Sequence, residues 1–251
     1  NMRRTTENSG VELRMNRIFS KNNRVFLLPL DHGINIGYEP NLNVRKQVEI
    51  AVKNNVDAIM IRPSMAKFIS DLDLGNTNII MALTGKFDRR IDHLQLNTVE
   101  YAIQCGADAV CSEFKFGSEG DLENANISSC VSEQAHNYGI PHLITVYVRE
   151  EQLKRSGGKA YAHACRIAEE LGADIIKIFL PEDEEIIRMC RQTVNIPIIT
   201  AGGDVVDDKS LVSRVEFYID NGIDGVAIGR NVWANDDVDG ITEKIKEVLS
   251  N

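Results

Sequence analysis

The sequence predicts an α/β fold, a single-domain (β/α)8 TIM barrel with a short N-terminal cap. Eight short, almost continuously apolar runs alternate with longer helical patterns along the chain, as expected for parallel strands buried on both faces. The 251 residues match the length that one such barrel uses. Because no Pro-, Gly- or Ser-rich linker separates the units, a closed barrel is favoured over a doubly wound sheet.

The apolar runs predict the eight strands. They lie at Val25–Leu30, Asp57–Ile61, Asn78–Leu83, Asp108–Ser112, His142–Tyr147, Asp174–Phe179, Ile196–Thr200 and Asp224–Ile228. Apolar residues at helical spacing predict the helices between them. These lie at Val44–Asn54, Thr98–Cys105, Leu122–Tyr138, Lys159–Leu171, Asp183–Thr193, Ser210–Asn221 and Val238–Ser250. The second connection, around Ser64–Leu74, has the weakest helical pattern.

A repeated motif supports the barrel. Four segments pass from a helix end through Gly or Asn into a strand opened by an aspartate: NNVDAIMI, CGADAVCS, LGADIIKI and NGIDGVAI. Gly and Asn suit a left-handed helix C-cap. The copies fall on strands two, four, six and eight, with aspartates at 57, 108, 174 and 224. This indicates two similar half-barrels.

The N-terminal segment is set apart from the barrel. Residues 1–24 include the amphipathic stretch ELRMNRIF, which predicts a small cap under the barrel. Residues 25–251 then form the catalytic domain. Asn1 stands ahead of Met2, which indicates a remnant of an expression tag.

Composition argues against several classes of function. Lys and Arg number 28 against 37 Asp and Glu, and the net charge of −9 makes a nucleic-acid or membrane partner unexpected. No run reaches the roughly 18 apolar residues of a membrane span, and we expect no secretory leader. The five cysteines are scattered without a CxxC, which indicates a reduced cytoplasm without disulfides or zinc. The histidines lack metal-ligand spacing, so we expect no metal. The sequence has no GxGxxG or GxxxxGK(S/T) motif, and we expect no cofactor.

Chemistry in (β/α)8 barrels lies at the carboxyl ends of the strands. Strand one ends in LDHG, which places Asp31 and His32 at the mouth, although these residues could also form a simple turn. Strand six contains Lys177 inside the apolar run DIIKIF. A buried ammonium is unfavourable unless it is paired. The lysine therefore either reaches the mouth as a salt bridge or serves as an amine that forms a Schiff base with a carbonyl.

The ends of strands five, seven and eight suggest substrate contacts. In VYVR, the Tyr147 hydroxyl could exchange a proton with a substrate hydroxyl, or its ring could simply pack. After strands seven and eight, Gly202, Gly203 and Gly229 would let backbone N–H groups approach a phosphate, with Arg230 as a further donor. The alternative is turn glycines beside a surface arginine.

The sequence resembles the DhnA-type (archaeal-type) class I fructose-bisphosphate aldolases in motifs that occur in the family's order. They are LDHG, GSE at 117–119, VYVR, the strand-six lysine, AGG and AIGRNVW. The resemblance extends over about residues 13–249. The family also contains aminodideoxyheptulosonate synthases and an autoinducer-processing thiolase.

The resemblance implies roles for these residues. Lys177 would be the Schiff-base lysine, Tyr147 the proton-transfer residue and Asp31 an acidic partner near the amine. The implied substrate- and phosphate-binding residues are Gly202, Gly203, Gly229, Arg230, His32 and Arg149. We expect a homo-oligomer that cleaves fructose 1,6-bisphosphate, a small phosphorylated sugar, to dihydroxyacetone phosphate and glyceraldehyde 3-phosphate.

Three positions bear on which substrate is used. Asp204 follows AGG where the family usually has Pro or Lys, and Thr145 stands where many relatives have an aromatic residue. Arg62 in IRPSM is a candidate second anion contact. These positions leave open a synthase that joins an enamine to an amino-acid semialdehyde. A phosphate-binding isomerase and a non-catalytic sugar-phosphate sensor are alternatives of another class.

Overall fold

Eight parallel strands close into a barrel in the computed structural model, which describes residues 8–19, 22–37, 39–87 and 92–250. In chain order they are β1 (Val25–Pro29), β2 (Ala58–Ile61), β3 (Asn78–Ala82), β4 (Ala109–Phe116), β5 (His142–Val148), β6 (Ile175–Ile178), β7 (Ile198–Ala201) and β8 (Gly225–Ala227). Each pairs with its neighbours in the sequence, and β8 pairs with β1. The predicted barrel is confirmed. The prediction of a tag remnant at Asn1 lies outside the described residues.

Helices occupy the connections between the strands. They run over Ser9–Ile18, Gly33–Ile36, Val44–Lys53, Val99–Gln104, Asp121–Asn137, Glu150–Ser156, Lys159–Glu170, Glu184–Thr193, Asp208–Asp220, Arg230–Trp233 and Val238–Ser250. The predicted helices are all present, with small shifts at their ends. The weak second connection contains a 3-10 helix instead, Pro63–Phe68, which begins on a proline.

The amino-terminal helix Ser9–Ile18 packs against the barrel interior. It begins at Asn8, whose side chain accepts hydrogen bonds from two backbone N–H groups of the first turn. Its apolar face and the inward side chains at the strand beginnings form one buried cluster. That cluster includes Val11, Met15, Ile18, Phe19, Val25, Leu27, Ala58, Ile80, Ala109, Leu143 and Ile175. The helix therefore closes the end of the barrel opposite the carboxyl ends of the strands.

The repeated aspartates join neighbouring strands at this closed end. Each accepts a backbone N–H from the preceding strand: Asp57 from Phe26, Asp108 from Ile79, Asp174 from His142 and Asp224 from Ile198. Each also faces a basic side chain, for example Lys246 at 2.8 Å from Asp57. The repeat is thus explained by strand pairing and lies at the end of the barrel away from the strand carboxyl ends.

Strands β4 and β5 extend beyond their predicted ends. The predicted fourth strand ends at Ser112, yet the pairing with β5 continues to Phe116. Glu113 is paired with Thr145, and Thr145 is paired with Lys177 of β6. Residues paired across parallel strands point to the same face of the sheet. Glu113 and Lys177 therefore face the same side of the barrel wall.

Candidate active site

A cavity of about 310 Å³ opens at the carboxyl ends of the strands. Residues that are far apart in the sequence line it together, because the parallel strands all end at the same rim. The sequence-predicted residues among them are Asp31, His32, Tyr147, Lys177, Gly202, Gly203, Gly229 and Arg230. The structure thus brings together all but one of the predicted site residues.

Lys177 lies within β6 and is only 6% exposed. Thr145 and Ile199 flank it on the neighbouring strands. Within the described ranges, no carboxylate lies within 4.0 Å of its amine. The salt-bridge alternative for this lysine therefore finds no support there, and its side chain is left facing the cavity.

Tyr147 is held on three sides at the cavity wall. Its hydroxyl donates a hydrogen bond of 3.0 Å to Glu113 Oε1. Its ring stacks on His93 and Phe179, with centroid distances of 5.7 and 5.3 Å. Burial raises the pKa of the phenol well above its ordinary value, and the nearby Glu113 carboxylate raises it further. Tyr147 therefore rests in its protonated form at neutral pH.

Glu113 and His93 were not predicted as site residues. Glu113 lines the cavity, and its Oε2 lies 3.0 Å from His93 Nε2, although the two atoms are not aligned for a hydrogen bond. Burial would raise the pKa of Glu113. The contact with His93, the charge of Lys177 and the Tyr147 hydroxyl outweigh burial and lower it to about 2. Glu113 is thus an ionised carboxylate inside the barrel.

Asp31 and His32 follow β1 and face the cavity from the opposite side of the barrel to β5. Asp31 is buried, with Arg62 Nη2 at 4.0 Å and His32 Nδ1 at 3.9 Å. The His32 ring meets Trp233 edge-on at 5.6 Å. Burial lowers the pKa of His32, with a smaller opposing effect from Asp31. His32 is therefore a neutral imidazole at physiological pH.

The loops after β7 and β8 build a backbone-lined corner of the cavity. Gly203 has φ of +69°, a conformation that favours glycine. A Cβ on Gly229 would lie 2.7 Å from the His32 ring, so only glycine fits there. The Arg230 guanidinium donates to the Gly203 carbonyl at 3.3 Å, and a short helix begins at Arg230. These features provide backbone groups and one cation for an anionic substrate group.

Asp204 lies beside this corner. Its Oδ1 is 3.7 Å from Arg230 Nη2, and its side chain is fully exposed. Asn231 donates to the Asp204 carbonyl at 3.0 Å and accepts the N–H of Val206, which ties the two loops together. An anion that binds Arg230 would therefore meet the negative charge of Asp204 nearby.

Two arginines considered in the sequence do not line the cavity. Arg149 donates to Asp121 and Asp92, and these hydrogen bonds, those to Asp121 above all, raise its pKa. The structure therefore separates Arg149 from the other predicted binding residues. Arg62 is buried and donates to the carbonyl of Thr84 and to Asn35 Oδ1. Both guanidiniums are engaged in holding loops.

Further residues line the cavity without a sequence signal that singled them out. Lys86 follows β3, and its amine lies 5.6 Å from the Tyr147 ring centroid. Asn35 and Phe179 also line the cavity. In the described part of the chain, no three His, Cys, Asp or Glu side chains gather as metal ligands do. Within those same ranges, no helix is long and apolar enough to cross a bilayer.

Comparison with known proteins places the chain among aldolases. Residues 25–235 match the family model described as DeoC/LacD family aldolase. The 2-amino-3,7-dideoxy-D-threo-hept-6-ulosonate synthase 1 of Archaeoglobus fulgidus is 34% identical over 233 residues, which cover 90% of this chain and 86% of that protein. The 2-amino-3,7-dideoxy-D-threo-hept-6-ulosonate synthase of Halobacterium salinarum is 29% identical. That alignment covers 96% of this chain and 92% of the synthase.

Solved structures share the fold. An archaeal fructose 1,6-bisphosphate aldolase has a TM-score of 0.86 and 24% identity, with 96% of this chain and 99% of that chain covered. An archaeal fructose-1,6-bisphosphate aldolase with its catalytic lysine covalently bound to the carbinolamine intermediate has the same TM-score, 0.86, at 23% identity, with 96% and 100% covered. With most of its length matched by the family model, this chain belongs to the DeoC/LacD family of aldolases, which are carbon–carbon lyases.

Proposed function

We propose that the chain is a Schiff-base, metal-independent aldolase acting on a ketose phosphate, with fructose 1,6-bisphosphate as the leading substrate. The observation that carries the proposal is the buried Lys177 amine in a cavity shared with Tyr147 and the glycine–arginine corner. A lysine in such surroundings can attack a ketone, and the resulting iminium serves as the electron sink. The reaction then needs no cofactor.

In this proposal each side of the cavity has a role. The Lys177 amine attacks the ketone carbon, and the resulting carbinolamine loses water to give the iminium. The substrate hydroxyl two carbons away loses its proton toward Tyr147, or toward a water held by Asp31, and the carbon–carbon bond breaks. Protonation and hydrolysis of the enamine release dihydroxyacetone phosphate. Binding the phosphate at Gly202, Gly203, Gly229 and Arg230 would orient the ketone over the amine.

Replacing Arg230 with alanine tests the phosphate corner. Since a charge-assisted hydrogen bond contributes about 1.5–3 kcal/mol, we expect KM for the phosphorylated ketose to rise roughly 10- to 100-fold. Steady-state kinetics measure the change, and Arg166→Ala removes an exposed arginine–glutamate pair elsewhere as the control. An unchanged KM and kcat in Arg230→Ala would mean that the phosphate binds at another place.

A second candidate is a synthase that joins the Lys177 enamine to an amino-acid semialdehyde. The 34% identical relative carries a synthase name. In addition, Asp204 places a carboxylate 3.7 Å from the proposed phosphate-binding arginine. A carboxylate there repels a phosphate and suits a substrate ammonium. Both candidates share the Schiff base and the phosphate corner.

An assay with both substrates separates the two candidates. Wild-type protein and Asp204→Lys are each given fructose 1,6-bisphosphate, and an amino-acid semialdehyde with a phosphorylated ketose donor. If the chain is a bisphosphate aldolase, we expect Asp204→Lys to increase kcat/KM for fructose 1,6-bisphosphate. If it is the synthase, the substitution abolishes use of the semialdehyde. If the substitution changes kcat/KM for neither substrate, Asp204 does not determine which substrate is used.

The proposed setting is the cytoplasm, with a homo-oligomer acting on a small phosphorylated sugar. The five cysteines are free in the structure, in keeping with a reducing compartment. Size-exclusion chromatography with light scattering measures the oligomeric state.

A further inference from the structure

A buried carboxylate lies beside the proposed catalytic residues without a part in the reaction described above. Glu113 is 4% exposed and lines the same cavity as Lys177. Its Oε1 accepts the Tyr147 hydroxyl at 3.0 Å, and its Oε2 lies 3.0 Å from His93. An ionised carboxylate is unfavourable inside a protein unless partners compensate for the lost water. Two side chains from different parts of the fold are placed here to do so.

The hydrogen bond to Glu113 decides how Tyr147 can act. A phenol carries one proton and accepts through its oxygen lone pairs. Because the Tyr147 proton is donated to Glu113, the oxygen is left as an acceptor toward the cavity. It can take a proton from a substrate hydroxyl only if its own proton leaves in the same step. Glu113 Oε1 is in place to receive that proton.

We propose that Glu113 is a positioning residue that receives the Tyr147 proton when the carbon–carbon bond breaks and returns it afterwards. This inference rests on the proposed aldolase function and deepens it. His93 Nε2 lies 3.0 Å from the other carboxylate oxygen, Oε2, while Oε1 accepts the hydrogen bond from Tyr147.

The proton and electron transfers balance without another reagent. In cleavage, the substrate hydroxyl proton moves to Tyr147 Oη and the Tyr147 proton moves to Glu113 Oε1. The O–H electrons form the aldehyde C=O bond, and the electrons of the broken carbon–carbon bond pass to the iminium nitrogen. After the aldehyde leaves, Glu113 returns its proton to Tyr147, which protonates the enamine carbon. One proton has then moved from oxygen to carbon.

The change in charge at Lys177 during cleavage favours transfer of the Tyr147 proton to Glu113. Burial favours the protonated form of Glu113, while the contact with His93 and the positive charge of Lys177 oppose it and keep the pKa of Glu113 low. The iminium is positive and the enamine is neutral. Cleavage therefore removes one of the charges that keep Glu113 ionised, at the stage where Glu113 holds the proton.

Glu113→Gln tests the inference, because it keeps the size of the side chain and a carbonyl acceptor but cannot take a proton. We expect kcat for cleavage to fall about 100-fold, in the range of general acid–base effects. We expect KM to change by less than about threefold and the borohydride adduct at Lys177 with dihydroxyacetone phosphate to form as in the wild type. A purely structural role would instead raise KM and reduce the adduct together with kcat.

Asp174→Asn is the matched control. Asp174 is also a buried carboxylate facing a histidine, with Oδ2 at 2.9 Å from His136 Nε2, and it lies at the closed end of the barrel. We expect this variant to lose thermal stability and keep its kcat. An equal loss of kcat in both variants would overturn the inference.

A double-mutant cycle with Glu113→Asp keeps the inference testable if the glutamine variant does not fold. The aspartate keeps the charge but places it farther from Tyr147. Because Glu113 acts only through the Tyr147 hydroxyl, we expect Glu113→Asp to lower kcat in the wild-type background and to have no effect in Tyr147→Phe. Equal losses in the two backgrounds would overturn the inference. A wild-type protein without an adduct at Lys177 would instead refute the aldolase proposal itself.

Discussion

Lys177→Met is expected to abolish aldol cleavage while leaving the barrel folded. Without the amine, the chain can form neither the iminium nor the enamine, so turnover falls below detection. Methionine has a similar length and fits an apolar strand, and volume-conserving core substitutions usually cost less than about 1.5 kcal/mol. Cleavage assays measure the first effect and thermal unfolding measures the second. Turnover that persists in Lys177→Met would exclude this lysine as the nucleophile.

Lys246→Met is the control, and we expect it to affect stability but not catalysis. Lys246 is a partly buried lysine paired with Asp57 at 2.8 Å at the closed end of the barrel. Its loss leaves Asp57 without that partner, so we expect a lower melting temperature and unchanged kcat. The comparison separates loss of chemistry from loss of a lysine.

Tyr147→Phe is expected to lower kcat about 10²- to 10⁴-fold, the usual contribution of a positioned acid–base group. The phenylalanine ring can keep the stacking on His93 and Phe179. Imine formation at Lys177 does not need the hydroxyl in this account, so the borohydride adduct should still form. Steady-state kinetics and mass spectrometry of the reduced protein check the two outcomes.

Asp31→Asn decides between the two proton acceptors considered for cleavage. If Tyr147 takes the proton, Tyr147→Phe loses more kcat than Asp31→Asn. If a water held by Asp31 takes it, the order is reversed. In either case Tyr147→Phe removes the hydroxyl that donates to Glu113 Oε1, and the unfolding free energy should fall by about 1–3 kcal/mol.

The fold and the position of Lys177 could be predicted because both depend on patterns that a sequence displays directly. Buried parallel strands are continuous apolar runs, and a lone lysine inside such a run, as in DIIKIF, is conspicuous. The glycines after β7 and β8 could also be recognised from the sequence, because they directly follow predicted strands. Positions such as Gly229, where a Cβ would meet the His32 ring, tolerate only glycine.

Glu113 could not be predicted in the same way, because its environment is made by distant segments. SEFKF places two charged residues at the end of an apolar run, and its pairing with β5 keeps it in the sheet. Its partner His93 comes from a connection between strands and showed no spacing typical of a site. Arg149 illustrates the converse. It belongs to the VYVR motif, yet Asp121 and Asp92 engage its guanidinium, and neither contact is visible in the motif.

Peptide mapping after borohydride reduction shows whether Lys177 forms a Schiff base with a ketose phosphate. Wild-type protein is treated with dihydroxyacetone phosphate and borohydride, digested and analysed by mass spectrometry. We expect inactivation and the mass of one reduced triose phosphate on the peptide containing Lys177, with no adduct in Lys177→Met. Labelling at Lys86 or Lys115 in place of Lys177, or an active protein without any adduct, would contradict it.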